Sequence, residues 1–139
     1  MKLGKLTRTI GAVAAVIAAA STTAVLAPAP AYAETDLSGN WRGTGYVTFK
    51  SGDRERARCR ATFWKKSPTN YHLNATCATA SAQASQAADI NLVGTNRYTG
   101  TFRNYDFDVT GKITVAVSGS TLKVELNGDG HSGSVTLRR

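Results

Sequence analysis

From about Asp36 onward, apolar and polar side chains alternate, and the alternation is broken at intervals of roughly eight to twelve residues by clusters rich in Gly, Ser, Pro, Asn and Asp. This is the pattern of short antiparallel strands with one face in a core. In "WRGTGYVTF", Trp41, Gly43, Gly45, Val47 and Phe49 alternate with Arg42, Thr44, Tyr46 and Thr48. After "KSGDR", Ala57, Cys59, Ala61 and Phe63 alternate with Arg54, Arg56, Arg58 and Arg60, followed by Thr62 and Trp64. After "KSPTN", Tyr71, Leu73, Ala75 and Cys77 oppose His72, Asn74 and Thr76. The stretch "SAQASQAADINLV" has the composition of a short helix on propensity alone. Its Ala88, Ile90 and Leu92 nonetheless fit the inward side of a fourth strand. Tyr98, Gly100 and Phe102 continue inward, with Arg97, Thr99, Thr101 and Arg103 outward. Phe107, Val109, Ile113, Val115 and Val117 extend the pattern past Gly111, where a bend or bulge is expected. Leu122, Val124 and Leu126, then Val135 and Leu137, complete it.

Short loops and no crossover helix predict an all-β fold, an eight-stranded antiparallel up-and-down barrel, which leaves no exposed sheet edge. A seven- or eight-stranded sandwich is the alternative. Apolar residues face in and polar residues out, the reverse of an outer-membrane barrel, so no membrane-spanning role is expected. If Cys59 lies opposite Cys77, Phe63 meets Leu73, Ala61 meets Ala75 and Trp64 meets His72, so the apolar faces match along the second hairpin. In the first hairpin, setting Phe49 opposite Ala57 places Lys50 beside Arg56, Thr48 beside Arg58 and Tyr46 beside Arg60.

The segment ahead of this domain has a different character. Lys2, Lys5 and Arg8 precede an Ala/Val-rich apolar run from Ile10 to Leu26, and "APAPAYA" ends in the small-x-small site Ala31-Tyr32-Ala33. This reads as a secretory signal peptide over 1–33, with a single barrel domain over 34–139 and a periplasmic or secreted bacterial product. The leader carries three of the seventeen basic residues and none of the nine acidic ones, which leaves fourteen against nine, a net charge of +5. That balance suits an acidic protein surface or an anionic envelope component, and export argues against nucleic acid. In an oxidising compartment the isolated pair Cys59 and Cys77 is expected to form one disulfide.

"SGNW" places Gly39-x-Trp41 at the start of the first strand, and "VTLRR" closes the last strand with arginine. In these residues the chain resembles the calycin superfamily of lipocalins, avidins and Inh-type metalloprotease inhibitors, and also small exported alphaproteobacterial proteins. The resemblance implies that Trp41 packs across the closed end of the barrel under Arg138 or Arg139, with Gly39, Trp41 and Arg138 as the signature set. The Inh-type members add similar size, export and one disulfide in the first half. They insert an N-terminal segment into the protease cleft, whereas here only "ETDLS" precedes the barrel.

Catalytic constellations are sparse. His131 lies with Asp129 and Ser132 in the Gly-rich "NGDGHSG", which reads as turn chemistry. Asp106 and Asp108 are placed on one strand face near Arg103, and His72 on the surface beside Trp64. Gly43 and Gly45 lack the strand-to-helix setting of a dinucleotide loop and are assigned to relieving crowding. The cysteines and histidines have no short chelating spacing. No catalytic residue, metal or cofactor is therefore expected. The expected function is that of a binding protein, inhibitor-like, using an outward basic and aromatic face made by Arg54, Arg56, Arg58, Arg60, Tyr46 and Trp64. A carrier holding a small apolar ligand inside the barrel, or a structural envelope protein, is the alternative.

Overall fold

The computed structural model describes Gly4, residues 11–26 and residues 35–139. The chain divides into two units, Met1–Tyr32 and Ala33–Arg139. The cleavage site expected at Ala31-Tyr32-Ala33 lies outside the described residues. Residues 11–26 have no regular secondary structure, and among the described residues no helix is long and apolar enough to cross a membrane.

The second unit is a closed antiparallel barrel of eight strands in chain order. They are β1 (Gly39–Thr48), β2 (Arg54–Ser67), β3 (Asn70–Ala78), β4 (Gln83–Gly94), β5 (Arg97–Asn104), β6 (Val109–Ser118), β7 (Thr121–Gly128) and β8 (His131–Arg138). The period-two pattern explains the closure. Trp41, Ala57, Cys59, Phe63, Tyr71, Leu73, Ile90, Tyr98, Ile113, Val115, Leu122 and Leu137 are all buried in one core, while their strand neighbours point to solvent. The Ala-rich segment is strand β4, with Ala88 and Ile90 buried, because the inward alternation outweighs a weak helical propensity.

Cys59 stands directly opposite Cys77 on β2 and β3, and the two form a disulfide with Cα atoms 4.1 Å apart. Phe63 meets Leu73 and Trp64 meets His72, as the alternation requires. The first hairpin differs from expectation. Tyr46 pairs with Arg56, Thr44 with Arg58 and Arg42 with Arg60. The turn is centred on Ser51: the Phe49 amide donates to the Asp53 carbonyl at 2.8 Å, the Gly52 amide to the Phe49 carbonyl at 2.8 Å, and Gly52 has φ of 93°. The expected and observed registers put the same side chains inward, so the alternation could not separate them.

The β5–β6 connection is a second correction. Asp106, Phe107 and Asp108 are in a turn rather than on a strand face. Asn104 Oδ1 accepts hydrogen bonds from the Asp106 and Phe107 amides, both at 3.1 Å, and Asp108 takes φ of 50°. This Asx-type turn takes Phe107 off the strand, although it keeps the sequence parity of Val109.

One end of the barrel is sealed. Leu37 is fully buried there, and Trp41, also fully buried, donates its indole N–H to the Leu37 carbonyl at 2.8 Å. The Trp41 ring meets Phe63 edge-on, with centroids 6.3 Å apart. Of the two candidate arginines it is Arg139, not the Arg138 of the signature set, that covers the tryptophan, at 4.5 Å from the ring centroid. Its guanidinium also donates to the Ser38 and Asp36 carbonyls at 3.0 and 2.7 Å. The reason is strand parity: Leu137 points inward, so Arg138 points out, and only the next residue can fold back over the end. Gly39 enters β1 at φ of 113°, a conformation that favours glycine.

Where β1 meets β8 the backbones approach closely. A Cβ at Gly43 would collide with the Thr136 carbonyl, and one at Gly45 with the Ser134 carbonyl. Crowding relief is thus the structural role of both glycines, and it falls on the seam that closes the barrel.

Candidate functional site

The opposite end is different, because its turns leave space inside. An apolar pocket of about 80 Å³ opens there. Phe49 and Phe107 stand at the mouth, from the β1–β2 and β5–β6 turns, with ring centroids 6.2 Å apart. His131, at the start of β8, meets Phe49 edge-on at 6.2 Å. A second space of about 30 Å³ lies deeper and shares the walls Cys77, Gln86, Phe102, Leu126 and Val135. Small inward residues create this room: Ala84, paired with Cys77, and Ala75, paired with Gln86, stand where larger side chains would close the interior. The core is therefore packed at the sealed end and unfilled toward the mouth.

Few polar groups reach the pocket. The Lys50 amide donates to His131 Nδ1 at 3.3 Å, so the neutral ring carries its hydrogen on Nε2. Gln86 reaches the Cys77 sulfur at 3.7 Å. Asn104 is committed to its turn. The three residues Asp129, His131 and Ser132 share a turn region, but no hydrogen bond joins them among the described residues. Asp129 instead pairs with Lys50 at 3.8 Å and takes φ of 46°.

The outward basic face is assembled by β1, β2 and β8. Arg54, Arg56, Arg58 and Arg60 are exposed along β2, and the revised register adds Arg42, flanked by Arg60 on one side and Arg138 on the other. The Arg54 guanidinium lies over the Tyr46 ring at 4.2 Å. Trp64 is half-exposed but stacks on His72, with centroids 5.9 Å apart, and stands at the end of the row rather than within it. His72 is held by Asp89 at 3.1 Å, and this bond is the main cause that pulls the Asp89 carboxyl below its ordinary range. Glu55, the nearest acid in sequence, turns to the mouth and accepts from the Ser81 amide and hydroxyl at 3.0 and 2.7 Å. Those bonds lower its pKa as well, chiefly through the Ser81 hydroxyl. Asp36 is likewise lowered, first by the Ser38 amide.

Alternation alone did not reveal three of these contributors. Phe49 and Phe107 read as core residues, although their neighbours "KSGD" and "NYD" mark turns. Leu37 is a lone apolar residue ahead of Gly39-x-Trp41, and that position was the available signal for a plug.

Fold and site define a class, a closed eight-stranded antiparallel barrel sealed at one end and pocketed at the other. Among solved structures it is similar to the redesigned barrel mFAP1 bound to DFHBI, at 13% identity and a TM-score of 0.63, over 74% of this chain and 94% of that one. The redesigned barrel mFAP0, also bound to DFHBI, matches at 14% identity and 0.63, over 74% and 98%. A fluorescence-activating barrel designed de novo matches at 17% identity and 0.57, over 73% and 92%. At these identities the likeness is one of fold. No protein-family description matches the chain, and no curated protein is similar to it in sequence.

Proposed function

We propose that this protein is an exported binding protein that takes a small apolar ligand through the open end of the barrel. One observation carries the reading: two adjoining apolar spaces with shared walls lie between the Phe49 and Phe107 mouth and the core around the disulfide. Unfilled apolar volume in a barrel this small forfeits packing energy, and a cavity of ~150 Å³ in another protein is enough for benzene. The space here suits a slimmer group, such as the end of an acyl chain or a ring held partly between the two phenylalanines. Each methylene buried would contribute about 0.8 kcal/mol. The His131 Nε2–H at the rim suits an acceptor on the protruding part of the ligand. That two designed barrels of this fold are bound to DFHBI is in keeping with a ligand in this architecture. The inhibitor reading has less support, because Asp36 and Ser38 are tied back to the sealed end by Arg139.

The test is titration with cis-parinaric acid, a slim fluorescent acyl chain, together with native mass spectrometry of freshly purified protein. Saturable enhancement or a co-purifying mass is expected, and Ala84→Phe, which fills the pocket beside Cys77, should abolish both. Unchanged binding by Ala84→Phe, or neither signal from the parent protein, would refute the proposal.

A further inference from the structure

The outer wall formed by β8, β1 and β2 carries charge of one sign only. Arg138, Arg42 and Arg60 stand side by side on neighbouring strands, and Arg58, Arg56 and Arg54 continue along β2. Strands are about 4.8 Å apart and same-face residues about 6.7 Å apart, so the guanidinium groups are rooted on a regular lattice. Like charges directly opposed destabilise a sheet, and Arg42 has one on each side.

Two ordinary explanations do not hold. The first is neutralisation. Glu55 is engaged by Ser81, Asp89 by His72 and Lys66, Asp108 by Arg103, and Asp129 by Lys50. Among the described residues none of these six arginines has a carboxylate within 4.0 Å. The second is protection of a sheet edge, and a closed barrel has no edge to protect. The choice of arginine is also informative. Its planar fork grips a phosphate with two parallel hydrogen bonds, which lysine cannot do. Arg54, stacked on Tyr46, is oriented while its in-plane N–H groups stay available. Between Arg42, Arg58 and Arg60 a shallow groove is lined by Thr44, Thr76 and Gln83, which add hydroxyl and amide donors.

We infer that this wall is a docking surface for a linear phosphodiester polymer, lying along β2 with successive phosphates on the arginines. A folded acidic protein fits less well: the donors form a straight row at a uniform step, whereas carboxylates on a folded surface are irregularly spaced. This inference does not depend on the interior pocket, and the two can fail separately.

The experiment measures binding of fluorescein-labelled poly(glycerol phosphate) to the purified protein over a salt series, with poly-L-glutamate of equal charge as comparison. Arg42→Ser, Arg58→Ser and Arg60→Ser together should weaken binding at least about ten-fold and reduce the log–log salt slope by about two. Arg97→Ser, Arg103→Ser and Lys112→Ser together remove the same charge from the far wall and should change affinity by no more than about two-fold. The lysine version, Arg42→Lys, Arg58→Lys and Arg60→Lys, keeps charge and fold but should still lose several-fold through loss of the fork. Equal weakening by the two serine triples, full binding by the lysine triple, equally tight binding of poly-L-glutamate, or no binding at low salt would each overturn the inference.

Discussion

Replacing Gly43 by alanine probes the seam that closes the barrel. The new Cβ would overlap the Thr136 carbonyl oxygen and stand 2.7 Å from its carbon and 2.9 Å from the Leu137 Cα. All three are backbone atoms, so no side-chain rotation relieves the clash. To restore ordinary contact β8 would have to retreat by well over an ångström, which stretches ladder hydrogen bonds beyond their useful range. Losing two such bonds costs about 2 kcal/mol, and overpacking typically adds about 1–3 kcal/mol. Alanine recovers roughly 0.5–1 kcal/mol over glycine within a strand, which leaves a net loss of about 3 kcal/mol. In a domain of this size that lowers Tm by roughly 12 °C or more. Gly133→Ala is the internal control, because its Cβ would make ordinary contacts, with Leu126 Cδ1 at 3.6 Å, the Tyr46 carbonyl at 3.7 Å and Leu126 Cβ at 3.9 Å. It should be neutral or slightly stabilising. Equilibrium urea unfolding followed by tryptophan emission measures both. A Gly43→Ala variant within about 0.5 kcal/mol of the parent, or a Gly133→Ala variant equally destabilised, would refute the account of closure.

Reducing the Cys59–Cys77 bond, which closes a loop of 18 residues, should cost about 3 kcal/mol in the chain-entropy model; urea midpoints with and without reductant check it, and no shift would show that β2 and β3 are held by their ladder alone. Arg139→Ala removes two hydrogen bonds and the cover over Trp41, and should cost about 2 kcal/mol with altered Trp41 emission; unchanged stability would mean that Leu37 seals the end unaided. Asp36 and Asp89 both have lowered pKa values, from the Ser38 amide and from His72 respectively. A carboxylate depressed by folding contributes stability above its unfolded pKa and loses it as pH falls through the folded value. Stability should therefore hold down to about pH 5 and then decline, and Asp36→Asn with Asp89→Asn should flatten that decline; an identical acid limb in the double variant would count against both partnerships.

What the sequence made legible depended on which constraints alternation encodes. A period of two assigns each residue to a face, so the inward set from Trp41 to Leu137 and the count of strands could be read directly, and strand β4 emerged despite its alanines. The cysteines added a distance constraint, and that constraint pinned the β2–β3 register. The β1–β2 hairpin had none. The observed register differs from the expected one by four residues along β2, and any even shift preserves every face, so only the geometry of residues 49–53 could place Tyr46 against Arg56. That shift is chemically consequential. In the expected register Arg60 faced a tyrosine, whereas in the structure it faces Arg42, which Arg138 flanks in turn. The extra arginines arrive from strands distant in sequence, through barrel closure, so no local pattern could announce them. The pocket was obscured for a related reason. Phe49 and Phe107 obey the alternation of their neighbours yet sit in turns at the mouth, where inward no longer means buried: Phe107 retains 45% exposure. An apolar residue that continues a strand's parity into a turn at an unsealed barrel end is free to meet a ligand instead of the core.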